Sequence, residues 1–114
     1  MKQRHDRTVR VAGLIQEILA PLLQQHRQSY TAPLVTITSV TISRDLAHAT
    51  IYVSVLSDDK KVIDKMVEWL NSESKVFRLS LAQHIRLRIV PTLRFVFDES
   101  TLIGFRINNL LHNV

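Results

Sequence analysis

A chain of 114 residues with 46% apolar side chains has material for one hydrophobic core, so residues 1–114 read as a single domain. Fifteen lysines and arginines against ten acids give a formal charge of +5, which favours a polyanionic partner, either nucleic acid or an anionic membrane surface. The absence of cysteine excludes disulfides, thiolate catalysis and cysteine-based zinc sites. No apolar run approaches the roughly 18–20 residues that span a bilayer, and the opening MKQRHDRTVR lacks an apolar signal region, so a soluble cytoplasmic protein is expected.

From about Asp6 to Gln28 the apolar residues Val11, Leu14, Ile15, Ile18, Leu19, Leu22 and Leu23 recur at the three-and-four spacing of an amphipathic helix. Pro21 removes one hydrogen bond inside it, and a kink or a rebuilt helix is expected there. QSYTAP supplies a loop. LVTITSVTIS is rich in β-branched residues, with Val35 and Ile37 in one phase and Val40 and Ile42 in the other, so a bulge is expected near Thr38–Ser39. After a turn at Arg44–Asp45–Leu46, Ala49, Ile51, Val53 and Val55 alternate with Thr50, Tyr52 and Ser54, completing a hairpin.

Asp58 and Asp59 precede a helix from Lys60 to about Asn71, whose apolar face is Val62, Ile63, Met66, Val67, Trp69 and Leu70. NSESK interrupts it. A further helix is expected from about Ser74 to Ile85, with Val76, Phe77, Leu81 and Ile85 inward and Lys75, Arg78, Ala82 and Arg86 sharing the opposite face. HIRLRIVPTLRFVFDES then reads as a strand, with Leu87, Ile89, Leu93, Phe95 and Phe97 inward and Arg86, Arg88 and Arg94 outward. Pro91 marks an edge or a bulge. Ser100 is a candidate cap for a short tail helix carrying Ile103, Ile107, Leu110 and Leu111, which Gly104 weakens. The order is that of an α+β domain with helices over one face of a small sheet. Residues 1–5 and the extreme C-terminus are expected to be flexible, and no spare apolar stripe asks for a dimer, so a monomer is expected.

Charge is distributed unevenly. Ser57–Glu73 holds five acids and three lysines, whereas Ser74–Phe97 holds Lys75, Arg78, Arg86, Arg88 and Arg94 and no acid. A solvated, solubilising face is the bland explanation of such a cluster. The dominance of arginine, whose guanidinium fork suits phosphate, favours a nucleic-acid surface. Arg44 in the turn, with Arg7 and Arg10, extends it. Phe77, Phe95 and Phe97 fall in core phase, which leaves Tyr30 and Tyr52 as candidates for stacking bases, so recognition of backbone and shape is favoured over base stacking.

Catalytic chemistry is poorly supplied. Gly13 and Gly104 are the two glycines, so neither a Walker loop nor a dinucleotide fingerprint can be written. His5, His26, His48, His84 and His112 are dispersed and read as surface or structural residues, not as metal ligands. Asp58–Asp59 and Asp98–Glu99 read as helix caps. No cofactor, metal or enzyme activity is expected.

RVAGLIQEIL, VTITSVTISRDLAHATIYVSVL, RLRIVPTLRFVFDES and GFRINNLL together resemble the bacterial ribosome-binding factor A family over nearly the whole chain. The resemblance implies a type II KH-like fold, α-β-β-α-α-β with a short C-terminal helix, lacking the Gly-x-x-Gly loop of ordinary KH domains. It also implies a non-catalytic assembly factor that binds the immature small (30S) subunit and its 16S ribosomal RNA. Such factors assist late maturation, including the 5′ end of the precursor RNA, and support growth in the cold, with other assembly factors, a GTPase among them, as further partners. The family's Ala-x-Gly at the kink between the central helices is replaced here by Glu73, Ser74 and Lys75. The alternative is a protein-interaction module docking on ribosomal proteins or another assembly factor, with Tyr52 or Trp69 as anchors.

Overall fold

The computed structural model describes residues 2–27 and 33–100. Tyr30 and most of its loop, and the expected tail helix with Ile103, Gly104, Ile107, Leu110 and Leu111, lie outside them. The elements are α1 (Lys2–Arg27), β1 (Val35–Ile42), β2 (His48–Val55), α2 (Lys60–Ser72), α3 (Ser74–His84) and β3 (Thr92–Phe97). They form a mixed α+β fold whose three-stranded sheet has the order β1-β2-β3, antiparallel between β1 and β2 and parallel between β2 and β3.

Helix α1 begins four residues before the expected start and buries Ala12, Ile15, Leu19 and Leu23 as one stripe, while Leu14 turns out to be exposed. The helical run continues through Pro21, which lies on the exposed side. Two amides of this helix reach the outer edge of the sheet: Gln24 donates to the Val35 carbonyl at 2.7 Å and Gln16 to that of Ile37 at 3.5 Å. A bare strand edge templates pairing with other chains, and these side chains occupy part of this one.

The phase change in β1 is the expected bulge: Ile37 pairs with Val53 and Ser39 with Tyr52, leaving Thr38 as the extra residue. The bulge keeps Val35 and Ile37 on the covered side before it, and Val40 and Ile42 after it. At the turn, Leu46 N–H donates to Ser43 O at 2.9 Å, the Asp45 carboxylate accepts from Ser43 Oγ (2.6 Å) and from Ala47 N–H (3.1 Å), and Leu46 takes φ of 61°. A left-handed leucine is strained, and these hydrogen bonds hold it while leaving Arg44 exposed.

Asp59 caps α2, its carboxylate accepting from Lys61 N–H at 3.0 Å. Ile63, Met66 and Leu70 are buried from α2, and Phe77 and Leu81 from α3. A single residue, Glu73, separates the two helices, with φ −96° and ψ 8°. Because φ is negative, the break requires no glycine, and Lys75 sits in ordinary helix.

Near that break, the Asn71 carboxamide accepts from Phe95 N–H at 2.8 Å and donates to Phe95 O at 2.9 Å, standing where the next strand of the sheet would be. Both edges of the sheet are thus contacted by amide side chains from helices. The Phe77 and Phe95 rings meet at 5.5 Å in the core, and His26 stacks on Trp69 at 5.4 Å and meets Phe77 edge-on at 5.1 Å, its Nε2 buried without a partner.

The expected strand from residue 84 onward requires correction. Strand β3 starts only at Thr92, opposite His48, the first residue of β2. Thr92 N–H donates to Ala47 O, and earlier in the chain β2 gives way to the hairpin turn, so residues 85–91 have no ladder to join. They form an irregular segment in which Ile89 is exposed and Pro91 buried.

Candidate nucleic-acid interface

That segment folds back beside α3, and between them lies an open cleft of about 540 Å³ lined by Lys75, Arg78, Leu79, Ala82, Arg88, Ile89 and Val90. Lys75, Arg78 and Ala82 reach it because positions i, i+3 and i+7 share a helical face. Arg88 comes from the segment opposite. The lining contains three cations and no carboxylate, and its apolar part is open to solvent, Leu79 at 68% and Ile89 at 58% of full exposure. Val76, expected inward, is also exposed.

Arg78 is partly committed to the fold. Its Nε and Nη2 both donate to the Val90 carbonyl, at 3.2 and 2.9 Å, so the guanidinium ties α3 to the segment before β3. A fork that spends two donors on a main-chain oxygen still presents the remaining ones outward. Lys75 and Arg88 are exposed.

The other predicted cations are dispersed. Arg86 follows the Ile85 C-cap and is exposed on the irregular segment, off the helical face proposed for it. Arg94 alternates with buried Leu93 and Phe95, so it points from the sheet face opposite the helices and does not join Arg86 and Arg88 on one strand. Arg44 stands at the hairpin turn. Arg7 and Arg10 are exposed on α1, which the Gln24–Val35 and Gln16–Ile37 contacts orient against β1 so that these residues lie toward the same end as the turn. The eight positions therefore divide into a cleft (Lys75, Arg78, Arg88), its margin (Arg86) and outlying positions (Arg94, Arg44, Arg7, Arg10).

Two carboxylates, Asp45 beside Arg44 and Asp98 just past β3, accept hydrogen bonds from their own neighbours. Hydrogen bonds from Ser43 and Ala47 hold Asp45 below the usual carboxylate range, and those from Ser100 and Thr38 do the same for Asp98. Asp98 accepts from Ser100 N–H at 3.1 Å and Ser100 Oγ at 2.6 Å, and the tail helix for which Ser100 is the candidate cap lies outside the described residues. Among the described residues no group of three or more His, Asp or Glu is gathered to hold a metal, and no helix is long and apolar enough to cross a membrane.

The exposed Leu79 and Ile89 were missed by sequence reasoning. Leu79 lies off the Phe77–Leu81 stripe, which was a usable signal. Ile89 gave none, since the same alternation fits a strand.

A family model described as Ribosome-binding factor A matches residues 7–111. Ribosome-binding factor A of Shewanella sediminis (strain HAW-EB3) is 35% identical over 114 residues, the whole of this chain and 80% of that protein. That of Shewanella amazonensis (strain ATCC BAA-1098 / SB2B) is 35% identical over 100% of this chain and 83% of its own. Among solved structures, the Thermotoga maritima protein TM0855, a putative ribosome binding factor A, superposes with a TM-score of 0.66 at 32% identity, covering 79% of this chain and 85% of that one. The crystal structure of ribosome-binding factor A from Thermus thermophilus shares the fold with a TM-score of 0.65 at 20% identity, over 78% of this chain and 93% of that one.

Proposed function

The chain belongs to the ribosome-binding factor A family, and from that premise we propose that it is a non-catalytic assembly factor that binds the immature 30S subunit through its 16S ribosomal RNA. A homology model of the Thermus thermophilus relative has been fitted into a cryo-EM map of a 30S complex. The observation in this chain that supports the same role is the carboxylate-free cleft bearing Lys75, Arg78 and Arg88. Cations converging without acid partners suit phosphate groups, whose neutralisation releases counterions. Arg86 extends the cleft's margin, and Arg44, Arg7 and Arg10 extend the RNA surface from the hairpin turn, the end of the sheet at which the segment 85–91 enters β3. The bound factor assists late maturation, including the 5′ end of the precursor RNA, and supports growth in the cold. It acts in the cytoplasm as a monomer, and a GTPase assembly factor is a further partner.

Lys75→Glu with Arg88→Glu reverses two charges that are exposed at the cleft. Affinity for immature subunits should fall at least tenfold, with melting unchanged. Unaltered affinity in this double variant removes the cleft from the interface.

A second reading is favoured by the exposure of Val76, Leu79 and Ile89. A protein-docking module would place this apolar margin, not Tyr52 or Trp69, against a ribosomal protein, since Trp69 is stacked on His26. Binding to naked 16S ribosomal RNA as tight as binding to subunits would reject it.

A further inference from the structure

Arg94 has no role in the cleft, because it leaves the sheet on the opposite side. Its surroundings follow from the register. Thr50 is directly beside it on β2, and Thr41 is beside Thr50 on β1. Tyr52, paired with Val96 on one side and Ser39 on the other, is the diagonal neighbour of Arg94 and occupies the middle of this face. Thr36 and Ser54, their hydroxyls 2.6 Å apart, lie beyond it, and His48 and Thr92, joined at 2.8 Å between Nδ1 and Oγ1, lie toward the turn that carries Arg44.

This face therefore presents an aromatic ring amid hydroxyls, with a guanidinium beside it that makes no hydrogen bond or ion pair among the described residues. Asp98, the carboxylate just past the far end of β3, already accepts from Thr38 Oγ1 (2.7 Å), Ser100 N–H and Ser100 Oγ. Within the ladder Val96 is the apolar side chain on this face, and the exposed Leu34 and Leu56 lie past Thr36 and Ser54 at the end away from the turn. The surroundings of Tyr52 and Arg94 are therefore polar, which disfavours a protein or lipid partner there. A duplex hides its bases from a flat surface. An unpaired nucleotide offers a π face for a ring, a phosphate for a guanidinium and a 2′-hydroxyl for serine and threonine.

We propose that the open face of the sheet is a second RNA contact, in which an unpaired nucleobase stacks on Tyr52 while Arg94 holds the adjoining phosphate and the surrounding hydroxyls read the ribose. The strand then continues toward His48 and Arg44. This inference rests on the reading that the chain binds RNA and adds a single-strand site on the side of the molecule away from the cleft.

The test is fluorescence anisotropy of the full chain with a labelled unstructured oligoribonucleotide and with an RNA duplex. Tyr52→Thr and Arg94→Gln should each weaken single-strand binding about tenfold, the scale of one base–aromatic contact, and leave duplex binding unchanged. Tyr52→Phe should bind as the parent does. Arg94 is exposed, so Arg94→Gln remains informative if Tyr52→Thr fails to fold, and photocrosslinking of a 4-thiouridine strand to the unaltered protein should label β2. Single-strand affinity retained in Arg94→Gln and Tyr52→Thr, but lost in Lys75→Glu with Arg88→Glu, overturns the sheet site and leaves the RNA reading standing. Equal losses in Tyr52→Phe and Tyr52→Thr overturn stacking. If the unaltered chain binds neither RNA, both the site and the reading it rests on fall.

Discussion

The two faces of β2 are built from different chemistry on one backbone. Toward the helices stand Ala49, Ile51, Val53 and Val55, all buried. Away from them stand His48, Thr50, Tyr52 and Ser54, none buried, with Arg94 alongside from β3. The covered face is apolar and the open one is rich in hydrogen-bonding groups, so stability and the proposed recognition would fall largely to different residues. Arg78 breaks the division, since it lines the cleft and ties α3 to Val90 at once.

The strongest challenge to that division is truncation on either side of it. Phe95→Ala, at a position 1% exposed, should cost about 3–5 kcal/mol and leave little folded protein at 37 °C. Thr50→Ala should cost about 1 kcal/mol or less. Urea unfolding measures both, and similar losses would show that the open face is itself a packed layer.

Asn71→Ala probes a sheet edge and should cost roughly 2–3 kcal/mol, because both main-chain groups of Phe95 lose their partner. The same unfolding curve should keep its slope, since the exposed area barely changes. A loss below about 0.5 kcal/mol would mean that water replaces the carboxamide without penalty.

Within the cleft, Arg78→Gln should lower stability by about 1 kcal/mol, whereas Arg88→Gln should stay within about 0.5 kcal/mol of the parent. Both should weaken RNA binding. Equal melting temperatures for the two variants would contradict the tie to Val90.

The smallest effect is on acid stability. Ser100 and Thr38 hold the Asp98 carboxyl below its ordinary value of 3.8, so its contribution is fully present above that value and is lost as pH falls through the lower, folded one. Asp98→Asn should therefore melt lower than the parent at neutral pH and show a smaller further drop below about pH 4. Parallel melting curves against pH for the two proteins would assign the acid response to other carboxylates.

Most of the fold was legible because its elements have clean periods. The stripe of α1, the alternation in β2 and the Asp59 cap each depend on local sequence, and the one-residue phase slip pointed to a bulge near Thr38–Ser39, where the register shifts. Residues 85–91 were not legible as irregular: Leu87 and Ile89 alternate with Arg86 and Arg88 as a strand would, and whether they pair is decided by where β2 begins, a distant fact. The roles of Gln16, Gln24 and Asn71 were hidden for a related reason, since an amide near a helix face carries no mark of the strand edge it will meet. The candidate site was legible as a set of cations but not as an arrangement. Lys75, Arg78 and Arg88 converge, while Arg94 leaves by the other face.

The central claim is that this chain recognises the immature small subunit through cations gathered beside α3. Co-sedimentation across a salt series, with immature subunits, mature subunits and free 16S ribosomal RNA, tests it directly on the parent and on Lys75→Glu with Arg88→Glu. The account predicts preferential, salt-sensitive binding of the parent to the immature particle, lost in the double variant. Equal binding of parent and variant to every sample would contradict it.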